Sequence, residues 1–234
     1  PHIFHTNHKH VYEYLSRFTE WYNYKHEVVA NIHGDFMPVP FNLNTLKLVY
    51  GEEKAAELRQ KLIDTYGLES RVPILKLREN PDKDIQTIAD YVYNNIFLHY
   101  TLKQWGQKPE DIDPSVSARV PVLISEDNGY FQDAYQGMPL EGYTPLFEKM
   151  LDYPNITVKL DTDANELLSL KDSQVYFEGE PFNGQVIFTG PIDEFFSCCY
   201  GQLPYRSLNF VFEHHEKSDY QPKAVVNYTV SEDY

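Results

Sequence analysis

Three aromatic residues, Tyr100, Trp105 and Tyr130, and two arginines, Arg119 and Arg206, are the side chains of this sequence best suited to holding a ligand. They fall where the chain otherwise reads as turns. Tyr100-Thr101-Leu102-Lys103-Gln104-Trp105-Gly106 closes a helical run, and Asn128-Gly129-Tyr130 is a turn signature in which Asn-Gly is expected to supply positive φ. An aromatic face stacks on a nucleobase at roughly 1–3 kcal/mol per base. A guanidinium grips phosphate oxygens with two parallel N–H donors. These residue types suit a nucleoside-diphosphate ligand. By spacing alone other fates stay open: Tyr100 and Trp105 as the apolar end of a helix, Arg119 and Arg206 paired with acidic neighbours. No catalytic side chain stands out. G-x-G-x-x-G, the Walker loop and the G-x-S-x-G elbow are all missing, and no Ser, His and acidic residues share the spacing of a triad. His2 and His5 lie three apart, fit to line a cofactor edge or simply to pack, and no Cys/His set has zinc spacing, so no metal is expected.

The elements that would position these residues follow from periodicity. Asn7 is expected to cap a helix reaching residue 18, and residues 27–32 and 36–40 to form a hairpin around His33-Gly34-Asp35. Asn44 is expected to cap a short helix to Tyr50. A longer helix over residues 52–66 has Ala55, Leu58, Leu62 and Ile63 on its apolar face and Gly67 just past its end. The spacing of Ile85, Ile88, Ala89, Val92 and Ile96 predicts a helix over residues 84–100, and Tyr143 to Met150 another. Strands are expected at 118–124, 156–160, 174–177 (a hairpin across Gly179) and 185–190, then a small helix at 192–200. Antiparallel strands are expected at 207–213 and 223–230. The class is α+β: a helical bundle beside a twisted antiparallel sheet.

Composition narrows the partners. A formal charge of −15 over 234 residues repels polyphosphate backbones, so nucleic acid is not expected. A small diphosphate remains possible where a few arginines converge. No apolar run reaches the roughly 18 residues that would mark a membrane span, and no membrane association is expected. The two cysteines are the neighbours Cys198 and Cys199, for which a reducing cytoplasm is the default reading. Most of the 19 tyrosines are expected to be packing residues, a few to be stacking platforms.

A series of short stretches resembles bacterial UDP-galactopyranose mutase, in the same order along essentially the whole chain. They are His2-Ile3-Phe4-His5-Thr6-Asn7, Pro40-Phe41-Asn42-Leu43-Asn44-Thr45, the Tyr100–Gly106 motif, Arg119-Val120-Pro121-Val122 and Asn128-Gly129-Tyr130-Phe131. Tyr135-Gln136-Gly137-Met138-Pro139, Thr189-Gly190-Pro191-Ile192-Asp193 and Tyr205-Arg206-Ser207-Leu208 continue the series. The resemblance implies an isomerase that interconverts UDP-galactopyranose and UDP-galactofuranose with reduced FAD. The flavin N5 would carry the covalent chemistry and the protein would bind and orient. It implies substrate binding by Tyr100, Trp105, Arg119, Tyr130, Ile96, Asn42 and Asn227. His2, His5 and Arg206 would lie toward the cofactor. Ile96 departs from the family, which often has an aromatic there.

The same resemblance implies a discontinuous layout. Residues 42–118 would be a helical substrate-binding bundle. Residues 6–41, 119–152 and 203–234 would form the antiparallel-sheet domain, and 153–202 a remnant of the FAD domain, with orphaned strands at 156–160 and 186–189. The family's glycine-rich FAD unit would precede Pro1 and further binding residues would follow Tyr234. The chain is therefore expected to be an internal fragment that holds no FAD and is inactive alone, with a homodimer possible through unpaired strand edges. The alternative is a non-catalytic UDP-sugar-binding module.

Overall fold

The computed structural model describes residues 2–99, 101–102, 106–111, 113, 121–205 and 207–230. The order begins β1 (Phe4–Thr6), α1 (Lys9–Leu15), β2 (Trp21–Tyr22), β3 (Val28–Ile32), β4 (Asp35–Val39) and α2 (Leu43–Tyr66). Next come β5 (Arg71–Val72), α3 (Ile74–Arg78), α4 (Lys83–Val92), a π-helix (Tyr93–Leu98), β6 (Val122–Leu123), β7 (Tyr135–Pro139) and α5 (Tyr143–Leu151). Last are α6 (Ala164–Leu167), β8 (Leu168–Lys171), β9 (Gln174–Phe177), β10 (Glu180–Pro181), α7 (Ile192–Phe195) and β11 (Val225–Tyr228). The chain divides into two units, residues 1–147 with 217–234, and residues 148–216. The α+β class read from the sequence holds.

The core of the larger unit is built on β3, whose Val28, Val29, Ala30 and Ile32 are all buried. The expected hairpin is present: β3 pairs antiparallel with β4 around His33 and Gly34, both at positive φ. On its other edge β3 takes β11 in parallel, Val225 opposite Val28 and Asn227 opposite Ala30. The sequence led us to expect antiparallel pairing of 223–230 with 207–213. Alternation fixes which face a strand buries but says nothing about its direction, and residues 207–213 form no ladder, with Phe212 90% exposed.

Helices close the core. Asn42 caps α2 by accepting hydrogen bonds from the backbone amides of Asn44 and Thr45, while Thr45 Oγ1 answers the Asn42 amide. This is a capping box, two residues earlier than the Asn44 cap expected. At Gly51 α2 is interrupted by φ 74°, so it is two helical segments end to end, as the sequence indicated. Gly67 ends it at φ 86°. Asp82 caps α4, which lays Ile85, Ile88, Ala89 and Val92 into the same buried cluster as Leu58 and Leu62 of α2. Each Ile, Leu or Val side chain among them contributes about 1.5–3 kcal/mol on burial. Asn7 caps nothing: α1 is shorter than expected, and Asn7 reaches Asp133 and the Ala134 amide instead.

Two smaller sheets flank this core, one in the order β1-β7-β2 and one of β5 and β6. In the smaller unit the hairpin around Gly179 forms as expected, in the order β10-β9-β8. Residues 156–160 and 185–190 carry the apolar pattern of buried strands yet pair with no described strand, and Ile187 is 80% exposed. α7 stops at Phe195, short of the expected helix to residue 200, as Ser197 and Cys198 turn to positive φ.

Candidate functional site

The N-terminus of α2 and the 125–130 turn are clamped together. Asn42, 1% exposed, spends its side-chain oxygen on the helix cap. Its Nδ2 donates to the Asp127 carbonyl at 3.1 Å and to Asn128 Oδ1 at 2.9 Å. Asn44 Nδ2 joins in, donating to the Glu126 carbonyl at 2.7 Å and Asn128 Oδ1 at 3.1 Å. Asp127 is held by Lys25 at 2.6 Å and by the Gly129 amide at 2.7 Å. Burial works against its ionisation, but these two donors outweigh it and keep the carboxyl below its ordinary range. Neither Asn128 nor Gly129 adopts the expected positive φ. Gly129 sits in tight quarters: a Cβ there would lie 2.6 Å from Lys25 Cε, near the end of a flexible side chain, and 3.1 Å from the Phe131 carbonyl.

Beyond the turn, rings stack into a short column. Tyr130 meets Phe131 edge to face at 5.0 Å, and the His5 ring lies flat on Phe131 at 3.7 Å. His5 Nδ1 is 3.0 Å from Asp133 Oδ2, and Asn7 Nδ2 donates to the other carboxylate oxygen. A residue expected on the cofactor side and one expected on the substrate side are thus separated by a single ring. His26, 5% exposed, stands beside both the Tyr130 and Phe131 rings at 5.8 and 6.0 Å and accepts the Tyr130 amide on its carbonyl at 2.8 Å. Burial pushes its imidazole below the ordinary value, and pushes the Tyr130 phenol up, so the Tyr130 hydroxyl stays a proton donor. That hydroxyl has no partner among the described residues.

Ile96 lies on the π-helix, 5% exposed and packed into the core. Asn227 lies on β11, on the same face as Val225 by strand alternation, with its amide unpartnered among the described residues. The two elements meet where Thr229 Oγ1 donates to the Asn95 carbonyl at 2.5 Å. Asn42, Ile96, Tyr130 and Asn227 therefore border one core. His2 is exposed ahead of β1. Tyr100, Trp105, Arg119 and Arg206 lie outside the described residues.

Sequence reasoning missed His26, Thr229 and the π-helix. His26 lies two residues before β3, in alternating step with the buried Val28, Ala30 and Ile32, a signal that was available. It also missed a groove of about 490 Å³ beside the clamp, lined by Val29, Phe36, Pro38, Asn44, Lys47 and Asn128. The volume suits a small ligand. Its rim balances Lys47 and Lys223 against Glu27 and Glu52, with Lys223 and Glu27 paired at 2.5 Å, so it has no preference for a diphosphate.

The profile of the UDP-galactopyranose mutase family matches residues 95–234, more than half of the chain. The chain belongs to this family. It is 32% identical over 230 residues to the UDP-galactopyranose mutase of Mycoplasma pneumoniae, a match covering 97% of this chain and 57% of that protein. The dTDP-fucopyranose mutase of Escherichia coli is 33% identical over 230 residues, covering 97% of this chain and 58% of its own length. A probable UDP-galactopyranose mutase of Klebsiella pneumoniae is 32% identical over 228 residues, with 97% and 56% covered. The chain thus spans under three-fifths of the curated relatives it matches. By their names, mutases of this family differ in both base and sugar.

Proposed function

We propose that this chain is the nucleotide-sugar-binding part of a UDP-galactopyranose mutase, a protein that interconverts UDP-galactopyranose and UDP-galactofuranose with reduced FAD. The observation that carries this reading is the motif series running in family order along the whole chain, backed by relatives at about one-third identity. Tyr100 and Trp105 flank the uridine and Arg119 binds the diphosphate. The Tyr130 phenol donates a hydrogen bond to it, and Asn227 offers an amide. Ile96 backs the base from the core. Asn42 acts through the turn it holds, because its own amide is fully engaged. His2, His5 and Arg206 face the cofactor side.

An FAD diphosphate is ordinarily cradled by closely spaced glycines opening a helix. No two glycines of this chain are spaced G-x-G, so its residues do not fit that role. The part of the reaction assigned here is therefore binding and orientation of the nucleotide sugar. Alone, the chain binds no FAD and does not turn over; flavin absorbance that copurifies with activity overturns this. We place the whole protein in the cytoplasm, in keeping with two free cysteines. A homodimer through exposed strand edges predicts a mass that rises with concentration.

The direct test is calorimetric titration of UDP into the unaltered chain and into Arg119→Ala. A charge-assisted hydrogen bond is worth about 1.5–3 kcal/mol, so affinity is expected to fall roughly 10- to 100-fold. Undiminished binding removes Arg119 from the site. A dTDP titration in parallel distinguishes the two nucleotide classes named among the relatives.

A further inference from the structure

The helix expected over residues 84–100 changes register before its end. α4 gives way at Tyr93 to six residues of π-helix, a form that makes up well under about 1% of residues in globular proteins. Wider turns of this kind cluster at functional sites. An α-helix advances each residue by about 100°, so one extra residue in a turn re-aims everything beyond it by that angle. The chain beyond Leu98 leads straight into the Tyr100–Gly106 motif.

A π turn is locally less favourable than an α turn, so something must hold it. Here it is pinned from two sides. At its first residue, the Tyr93 ring lies under the Arg78 guanidinium at 3.9 Å, and its hydroxyl donates to Glu110 Oε2 at 2.7 Å. Glu110 Oε1 accepts from Arg78 Nη1 at 2.8 Å, which closes the triangle. Two residues on, the Asn95 carbonyl accepts the hydroxyl of Thr229, a residue 2% exposed and 134 positions away in sequence. Asn95 Nδ2 turns back to the Tyr91 carbonyl at 2.8 Å. Ile96 and Phe97 complete the hold by entering the core. Thr229 follows β11, the strand that also carries Asn227.

We propose that Thr229 is a positioning residue for nucleotide binding: its hydroxyl fixes the π register and thereby sets where Ile96, on that helix, stands relative to Asn227, on the strand that precedes Thr229. This rests on the nucleotide-sugar reading above. The contact joins the helix that carries Ile96 to the residue directly after the strand that carries Asn227, so one hydrogen bond ties the two supports together. The Thr hydroxyl is the working group, and its methyl merely fills space.

The test is UDP titration by calorimetry of the unaltered chain, Thr229→Val and Thr229→Ser, at a temperature well below each melting transition. Val keeps the volume and removes the donor; Ser keeps the donor. Loss of one buried hydrogen bond predicts about tenfold weaker binding for Val, at unchanged stoichiometry, and recovery for Ser. A merely structural residue would lower the melting temperature and leave the affinity of the folded protein where it was. Deleting Asn94, an exposed residue of the π-helix, tests the register separately. The expected result is a folded chain with retained helical circular dichroism that no longer binds UDP. Unaltered affinity in Thr229→Val, or retained binding after the deletion, overturns the inference alone. Failure of the unaltered chain to bind UDP overturns the nucleotide-sugar reading and the inference with it.

Discussion

Asn42 distinguishes a residue that touches ligand from one that builds the support. Asn42→Ala removes the helix cap, at about 0.5–2 kcal/mol. It also strands the Asp127 carbonyl, while Asn128 Oδ1 keeps the Asn44 amide as a donor. A part-buried acceptor left without a partner costs up to about 1–3 kcal/mol, so the two terms sum to roughly 1.5–5 kcal/mol. With a urea m-value of about 2 kcal/mol/M, the middle of its usual range, the unfolding midpoint should fall by roughly 1–2.5 M. Asn42→Asp separates the terms. Its carboxylate still caps α2, and favourably so at a helix N-terminus, yet it sets oxygen against the Asp127 and Asn128 oxygens that now receive donors. It should fall between Ala and the unaltered chain. The assay is urea unfolding followed by circular dichroism, paired with UDP titration under folding conditions. A midpoint that stays put in Asn42→Ala while UDP affinity collapses would refute the clamp and make Asn42 a direct contact.

Gly137 of β7 should not tolerate a side chain: a Cβ there would come within 2.9 Å of the Tyr22 carbonyl of β2. Gly137→Ala is expected to cost about 1–3 kcal/mol, read as a lowered thermal midpoint, and an unchanged midpoint would mean the sheet gives way freely. His26 should make stability depend on pH. Burial depresses its folded pKa below 6.5, so the unfolded chain binds the proton more tightly. Its contribution is fully present above about pH 6.5 and is lost as pH falls toward the lower folded value. His26→Gln should flatten that part of the profile in denaturant titrations from pH 8 to 5; an identical slope in both proteins removes His26 as the cause.

What the sequence made legible was local. The β3–β4 hairpin has a turn that needs positive φ and received His33-Gly34, and the break in α2 falls at Gly51, the one residue between the two helical patterns. Gly67 ends the helix where it was expected. The misses depend on partners far along the chain. The parallel pairing of β11 with β3 and the π register pinned by Thr229 are both set by contacts that periodicity does not encode. The Asn42 cap was hidden by a competing asparagine two residues on, and only the 125–130 turn decides between them. Segments 186–189 and 207–213 teach the converse. An apolar pattern states what a strand would bury if neighbours came, and no described strand pairs with either.

The candidate residues separate by how much of their bonding capacity the protein already uses. Asn42 has none to spare, and Ile96 is enclosed by the core. Tyr130 and Asn227 each retain a polar group without a partner among the described residues, and the Tyr130 phenol is kept protonated by burial. A neutral donor of this kind contributes about 0.5–1.5 kcal/mol to a ligand, against roughly 1.5–3 for a donor or acceptor that carries charge. In a chain of net charge −15, an incoming diphosphate must also overcome long-range repulsion. Local positive charge is then a requirement and not an addition, and Tyr130, Phe131 and the buried His26, whose imidazole burial keeps toward the neutral form, supply none. The weight of binding thus falls on arginine. Raising salt sharpens the point: screening weakens repulsion by the chain and attraction by a single guanidinium together. UDP affinity should respond only weakly to ionic strength in the unaltered chain and should improve with salt in Arg119→Ala. A steep loss with salt in both proteins would mean that other cations, and not Arg119, hold the diphosphate.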